Sequence, residues 1–326
     1  MPPSKASRLG RLAHQCGNGS LSVLIDHQAQ LDALAIITEI AGFEIGIFVK
    51  VDTGYHRAGL TTTSEHFEAL VAHVLSSVEP AGNGYLQGFY SHAGHSYSGD
   101  SKENAMSFLM DELCCLEKAA QICDDLCGRS ENSRLRPLTL SVGATPTATS
   151  IQNITGESTQ SSSSQQKIGE LKSCIERINK KYEIEIHAGV YPILDLQQLA
   201  THASPPAGST PTADASPSAS SQSLSTADLG LTILAEVVSL YSRRESSEAL
   251  VAAGSLALGR EPCKSYSGWG VVSPWSRSSG IDGSPSGWIV GRISQEHGVL
   301  TKGPDGKAQA ELQVGQRVRI WPNHAW

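Results

Sequence analysis

Five short apolar runs, each broken by glycine or a polar residue and each followed by a helical pattern, dominate the first half of this chain. They are Leu21–Asp26 (LSVLID), Ile45–Val51 (IGIFVKV), Leu86–Tyr90, Leu138–Val142 and Glu183–His187. Most are apolar on both faces and rich in Val, Ile or Leu, as strands of a sheet covered on both sides must be. Helical patterns separate them. In Ser101–Cys127, the residues Ala105, Phe108, Leu109, Leu113, Leu116, Ala120, Cys123 and Leu126 recur at three- and four-residue steps. Gln28–Ile40, Ser64–Ser77 and Lys167–Lys180 carry similar stripes. Alternation of this kind predicts a parallel α/β architecture.

Two segments break the pattern. Asn153–Gln166 (NITGESTQSSSSQQ) is polar and serine-rich, and Ala203–Thr226 holds a single large apolar residue, Leu224. Neither buries enough surface to offset its ordering entropy, so both read as disordered insertions or linkers. Beyond them, Leu231–Arg244, Ala249–Leu258, Gly287–Ser294 and Arg317–Trp321 are β-type runs divided by glycine- and proline-rich turns. They predict a mostly antiparallel β domain. The expected division is therefore residues 1–202, a linker over 203–226 and a second domain over 227–326.

Composition narrows the partners. A length of 326 residues with 39% hydrophobic content supports two domains with proper cores. A net charge of −7 argues against nucleic acid or an anionic membrane surface. Seven cysteines without a CxxC pair argue against a disulfide framework. Cys114, Cys115, Cys123 and Cys127 share one helical pattern and read as reduced helix cysteines rather than a zinc cluster. No run has signal-peptide or membrane-spanning length, and the expected location is cytoplasmic.

The strand ends carry the chemistry. In a βα barrel, the loops leaving the C-terminal strand ends share one face. KVDTGYHRAGL (Lys50–Leu60) brings His56 and Arg57, and GFYSHAGHSY (Gly88–Tyr97) brings His92, His95 and Tyr97. SVGATPT (Ser141–Thr147) brings Gly143, Ala144, Thr145 and Thr147, and EIHAGVYPILDLQ brings Gly189 and Tyr191. A glycine turn with threonine hydroxyls is either a plain turn or an anion cradle; beside the other loops, phosphate is favoured. Lys50 and Asp52, at i and i+2, could form a buried ion pair. Arg57 offers a directed clamp for a carboxylate or cofactor. His92 and His95 suit hydrogen bonding better than metal binding. Tyr97 and Tyr191 either contact a cofactor ring or line a cleft.

Taken in order, these motifs, with GRISQEHGVL (Gly291–Leu300) and RIWPNHAW (Arg319–Trp326), resemble the D-serine dehydratase/D-threonine aldolase family of alanine racemase-like, fold-type III pyridoxal-phosphate enzymes. The resemblance implies a (β/α)8-type barrel followed by an antiparallel β domain. It implies pyridoxal phosphate with zinc beside it, and a small D-amino acid substrate. It also implies a homodimer and conversion of D-serine to pyruvate and ammonia. It gives Lys50 a role supporting Arg57 and makes Gly143, Ala144, Thr145, Tyr97 and Tyr191 cofactor contacts. His324, in Pro322-Asn323-His324, matches a zinc ligand of the family, but Trp326 stands where the family has its cysteine. His297 is read as a hydrogen-bonding residue. The family's Schiff-base lysine lies in an Arg-Pro-His-x-Lys element, and none of the eleven lysines here has that context. With five βα strands instead of eight, the expectation is a barrel lacking its first strands, truncated at both ends and inactive by itself. The alternatives are a D-threonine aldolase-type lyase and a non-catalytic homologue that binds a phosphate ligand.

Overall fold

The strand–helix alternation folds as a parallel sheet in a computed structural model, which describes residues 1–128, 136–154, 162–204, 224, 228–242, 246–273, 286–304 and 311–325. Most of the expected 203–226 linker lies outside the described residues, as does 155–161 of the serine-rich segment. Two compact units emerge. The first comprises Met1–Ser96, Met106–Ala148 and Ser161–His187; the second comprises Tyr97–Ala105, Thr149–Gln160 and Ala188–Trp326.

The chain opens with helix α1 (Ala6–Cys16) and strand β1 (Ser22–Ile25), then runs through α2 (Asp32–Ala41), β2 (Gly46–Lys50), α3 (Glu65–His73) and β3 (Tyr85–Tyr90). It continues through α4 (Lys102–Gly128), β4 (Thr139–Val142), α5 (Thr145–Ser150), α6 (Ser162–Asn179) and β5 (Glu183–Ile186). The five strands pair in sequence order, β1-β2-β3-β4-β5, all parallel. Ile47, Val49, Leu86, Phe89, Leu140 and Val142 are fully buried, against helix residues such as Leu34, Ile37, Phe67 and Leu113 that are equally dry. Among the described residues, β1 and β5 are paired on one side only.

Two helices differ from expectation. Helix α1 presents only Ala6, Gly10 and Ala13 to the interior, a face without the bulky residues that mark an amphipathic stripe. Gly10 explains its packing: a Cβ there would lie 2.8 Å from Ile40 Cβ, so α1 and α2 approach at a residue with no side chain. Helix α6 begins at Ser162, five residues before the expected Lys167, so the end of the serine run is helical and Ser164 is buried.

The second unit holds α7 (Leu196–Thr201), β6 (Ile233–Tyr241), β7 (Glu248–Val251), α8 (Ser255–Leu258), β8 (Gly270–Ser273), β9 (Trp288–Ile293), β10 (Gly298–Lys302) and β11 (Arg317–Pro322). Its six strands close into an antiparallel barrel in the order β10-β7-β6-β11-β8-β9. Alternate residues point inward. Val237, Ala249, Val251, Trp288, Val290, Leu300, Val318 and Ile320 fill the interior. The run expected as one strand over Ala249–Leu258 is instead a strand followed by one helical turn. Gly254 makes that break necessary, since a Cβ there would meet Gln295 O and His297 N at 2.5 Å. Among the described residues, no helix is long and apolar enough to cross a membrane.

Candidate active site

The register of the sheet sets one polar row across its C-terminal end. Lys50 pairs with Tyr90, Tyr90 with Ser141, and Ser141 with Glu185. In-register residues of neighbouring strands point to the same face, so β2 to β5 contribute an amine, a phenol, a hydroxyl and a carboxylate at one level. The row is knit together. The Lys50 ammonium lies 4.4 Å from the Tyr90 ring centre. Ser141 Oγ donates to Glu185 Oε1 at 2.6 Å and receives the Nδ1–H of His187 at 3.1 Å. The His187 ring in turn stacks on Tyr90, with centres 4.3 Å apart and planes 6° apart.

The loops above the row close around it. Asp52 does not pair with Lys50, as the ion-pair reading had it. Its Oδ1 accepts the N–H groups of Gly54 and His56, both at 3.0 Å, and its Oδ2 faces His56 Nδ1 at 2.8 Å. Burial alone would raise this carboxyl, but the bonds from His56 and Gly54 hold it below the usual carboxylate range. The loop returns to the strand through Leu60 N–H to Lys50 O and Asp52 N–H to Leu60 O, both 3.0 Å. Gly59 permits that closure at a φ of +106°, where a Cβ would sit 2.8 Å from Val51 C. Arg57 is exposed, its guanidinium 5.2 Å from the Tyr55 ring centre.

After β3, Ser91 Oγ donates to Glu112 Oε1 of helix α4 at 2.5 Å, and His92 Nδ1–H donates to Gly143 O at 3.1 Å. His95 packs edge-on against Phe108. Burial, then the nearby Arg57 charge, pushes the Lys50 amine down to about 8. Burial and the charges of Arg57 and Lys50 push His92 to about 4, and burial with Lys50 does the same to His187. Burial lifts Glu112 to about 7. Both imidazoles are therefore neutral at neutral pH, with Nδ1–H committed, and an amine and a carboxyl titrate close to one another.

The glycine–threonine turn is built differently from an open anion cradle. Gly143, at a φ of +143°, is glycine because a Cβ would meet His187 O at 2.1 Å on the adjoining strand. Ala144 N–H is taken by Thr147 Oγ1 at 2.9 Å, and that hydroxyl returns a bond to Ala144 O. Ala144, Thr145 and Thr147 are all buried. A phosphate would have to displace the Thr147 hydroxyl. With no lysine in the family's aldimine context, the residues present do not by themselves fit pyridoxal phosphate.

Tyr97, Tyr191 and His324 belong to the second unit. Asp195 is buried and caps α7 by accepting Gln198 N–H; its other oxygen accepts His324 Nδ1–H and Ala325 N–H, both at 3.0 Å. Tyr97 meets the His324 ring edge-on at 6.2 Å. Tyr191 is exposed, and its hydroxyl accepts Gln152 Nε2–H at 2.6 Å. His297 has an exposed side chain; its carbonyl accepts Ser294 N–H at 2.8 Å and closes the β9–β10 turn. Among the described residues, no group of three or more His, Cys, Asp or Glu could hold a metal ion, so zinc does not find a complete donor set here. The motif reading missed Tyr90, Ser141, Glu185, His187 and Glu112. The first four were visible at the C-terminal ends of three strands, Tyr90 on β3, Ser141 on β4, Glu185 on β5 and His187 just after it, whereas Glu112 is a carboxylate within a helix stripe.

Comparison with known proteins agrees with this two-part build. The profile of the alanine racemase N-terminal domain matches residues 7–159, and the profile described as "Putative serine dehydratase domain" matches residues 230–325. D-serine dehydratase of Schizosaccharomyces pombe is 34% identical over 310 residues, covering 94% of this chain and 61% of that protein. D-serine dehydratase of Saccharomyces cerevisiae is 30% identical over 325 residues, covering 97% of this chain and 64% of that protein. The chain thus spans under two thirds of the length of these relatives. The fold is shared with D-threo-3-hydroxyaspartate dehydratase from Delftia sp. HT23, at a TM-score of 0.67 and 23% identity, over 100% of this chain and 70% of that one. The chain is thus similar over residues 7–159 to an alanine racemase-type N-terminal domain, over residues 230–325 to a serine dehydratase domain, and over nearly its whole length to D-serine dehydratases.

Proposed function

We propose that this chain carries most of the substrate-side machinery of a D-serine dehydratase-type lyase, and that the 326 residues do not turn over D-serine by themselves. The observation that carries the reading is the polar row Lys50–Tyr90–Ser141–Glu185 at the strand ends, joined by two neutral imidazoles. Lys50 and Arg57 supply positive charge for the carboxylate of a small D-amino acid. Neutral His92, with Nδ1–H already donated to Gly143 O, offers Nε2 as an acceptor for a substrate hydroxyl or ammonium, while His187 Nε2 is buried behind it. Glu112 and Lys50 titrate near neutral pH and are placed to hold and release a proton. Pyridoxal phosphate, zinc, a homodimer and a cytoplasmic location belong to the same proposal through the family, with no step derived through either cofactor.

The test pairs binding with turnover. Ring resonances of His92 and His187 are expected to shift on titration with D-serine and not with L-serine, while a coupled pyruvate assay with added pyridoxal phosphate stays at background. Pyruvate formation would overturn the inactive reading. Release of glycine from D-threonine would move the chain to the aldolase alternative. Identical behaviour toward D- and L-serine would leave the non-catalytic homologue.

A further inference from the structure

Away from the strand ends, helices α4 and α6 bring two sulfurs together. Cys114 Sγ and Cys174 Sγ are 3.9 Å apart, although the residues are 60 positions apart in the chain. Helix α4 leads from β3 to β4 and α6 leads from β4 to β5, so the two are neighbours in one layer. Arg177, one turn after Cys174, directs Nη2 at both sulfurs, 3.8 Å from Cys114 and 3.6 Å from Cys174. Its Nη1 is tied to Glu117, one turn after Cys114, so the guanidinium is held over the pair from both helices. Cys114 is exposed and Cys174 is buried, which separates a thiol that a reagent can reach from one that it cannot.

We propose that Cys114 and Cys174 are a dithiol that closes to a disulfide by exchange with a small disulfide of the oxidised-glutathione class, pinning α4 to α6. The step balances in two exchanges. The Cys114 thiolate attacks one sulfur of the reagent, the reagent's S–S bond breaks and one thiol leaves. The Cys174 thiolate then attacks Cys114 Sγ, the mixed disulfide breaks and the second thiol leaves. Two protein thiols are oxidised, one small disulfide is reduced to two thiols, and both protons end on those thiols. The sulfurs have to approach by about 2 Å to reach the S–S bond length. Arg177, beside the Cys174 sulfur, favours its thiolate in the second exchange. Burial and the adjacent Cys114 sulfur push the Cys174 thiol up to about 11, so the second exchange is the slower one and quickens as pH rises.

The closure reaches toward the strand ends. Glu112, whose carboxylate holds Ser91, lies two residues before Cys114, and α6 feeds β5 and His187. The experiment treats the full chain with oxidised glutathione and maps disulfides by mass spectrometry of a non-reducing digest. The expected product is a Cys114–Cys174 link, formed faster at pH 9 than at pH 7 and reversed by dithiothreitol. In Cys174→Ser, glutathione should remain attached at Cys114. A stable glutathione adduct on Cys114 in the unmodified chain, with Cys174 free, would overturn the proposal. So would pairing of Cys114 with Cys115, Cys123 or Cys127. Mapping the unmodified chain needs no variant and stands even if the serine variant folds poorly.

Discussion

The two β structures of this molecule solve the edge problem in opposite ways. The six antiparallel strands of the second unit close, so every strand has two partners and the interior is sealed by Trp288 and small aliphatic side chains. The five parallel strands of the first unit form an open row, and β5 is largely exposed along its length. Leu24 on β1 and Ile186 on β5 are both more than a third exposed. Closure removes the hydrogen-bonding groups that a sheet edge offers to other chains, while an open row retains them. The same contrast separates the chemistry. The barrel interior is apolar, whereas the open sheet gathers charge and imidazole at one end.

Three measurements would break or sharpen this contrast. The largest effect belongs to the packed interiors. Trp288→Ala should cost about 3–5 kcal/mol in denaturant unfolding, because a sealed barrel cannot collapse onto the void. Gly88→Ala should cost about 3 kcal/mol, since a Cβ at that position falls 1.8 Å from Thr139 O on the next strand. A loss under ~1 kcal/mol at Trp288 would show that the barrel does not close around it.

Next comes acid. His92 and His187 titrate near 4 when folded against about 6.5 when unfolded, so between those values the unfolded chain binds protons that the folded one refuses. Stability therefore falls as pH drops from 6.5 to 4. Glu112 has the opposite sign: folded near 7, it takes up a proton before the unfolded chain does, and stability rises as pH falls from 7 to its ordinary value near 4.5. Two groups outweigh one, and the melting temperature should fall across the window. Glu112→Gln removes the opposing contribution and steepens the fall. In the second unit, burial shifts Cys263 and Tyr266 upward, away from this window, so the acid sensitivity carried by His92 and His187 should report on the sheet. An acid-induced loss of signal from Trp288, with the sheet intact, would reverse the assignment.

The smallest effect on folding concerns the edges. Leu24→Lys with Ile186→Lys should change unfolding free energy by less than about 0.5 kcal/mol, because both side chains already face water. It should nevertheless lower light scattering from concentrated solutions, since a charge on an exposed edge opposes pairing. Unchanged scattering would show that the open row is not what drives association.

Much of this was readable from residue order. The five strands, α4 and the β-rich second unit follow from short apolar runs and a long three–four stripe. Lys50, His92 and Gly143, which the motif loops single out, lie at neighbouring strand ends. Other features left no such trace. Helix α1 buries alanine and glycine, which carry little periodic signal, and β8 and β10 are four- and five-residue strands hidden among turns. Asp52 looked like a partner for Lys50 because they alternate on a strand. The chain turns at Asp52, however, and nearby backbone N–H groups claim its carboxylate first. The Thr147 hydroxyl illustrates the deepest gap: spacing shows that a threonine follows the turn, not that it seals it.

Neighbouring strands stand about 4.8 Å apart, so the backbones carrying Lys50 and Glu185 are separated by three such gaps, roughly 14 Å. An amino acid as small as serine is far shorter than that. It can touch two adjoining members of the series at once, never the whole set. Whatever enters here must be handled by halves, with the ammonium end and the carboxylate end of the ledge serving different parts of the event.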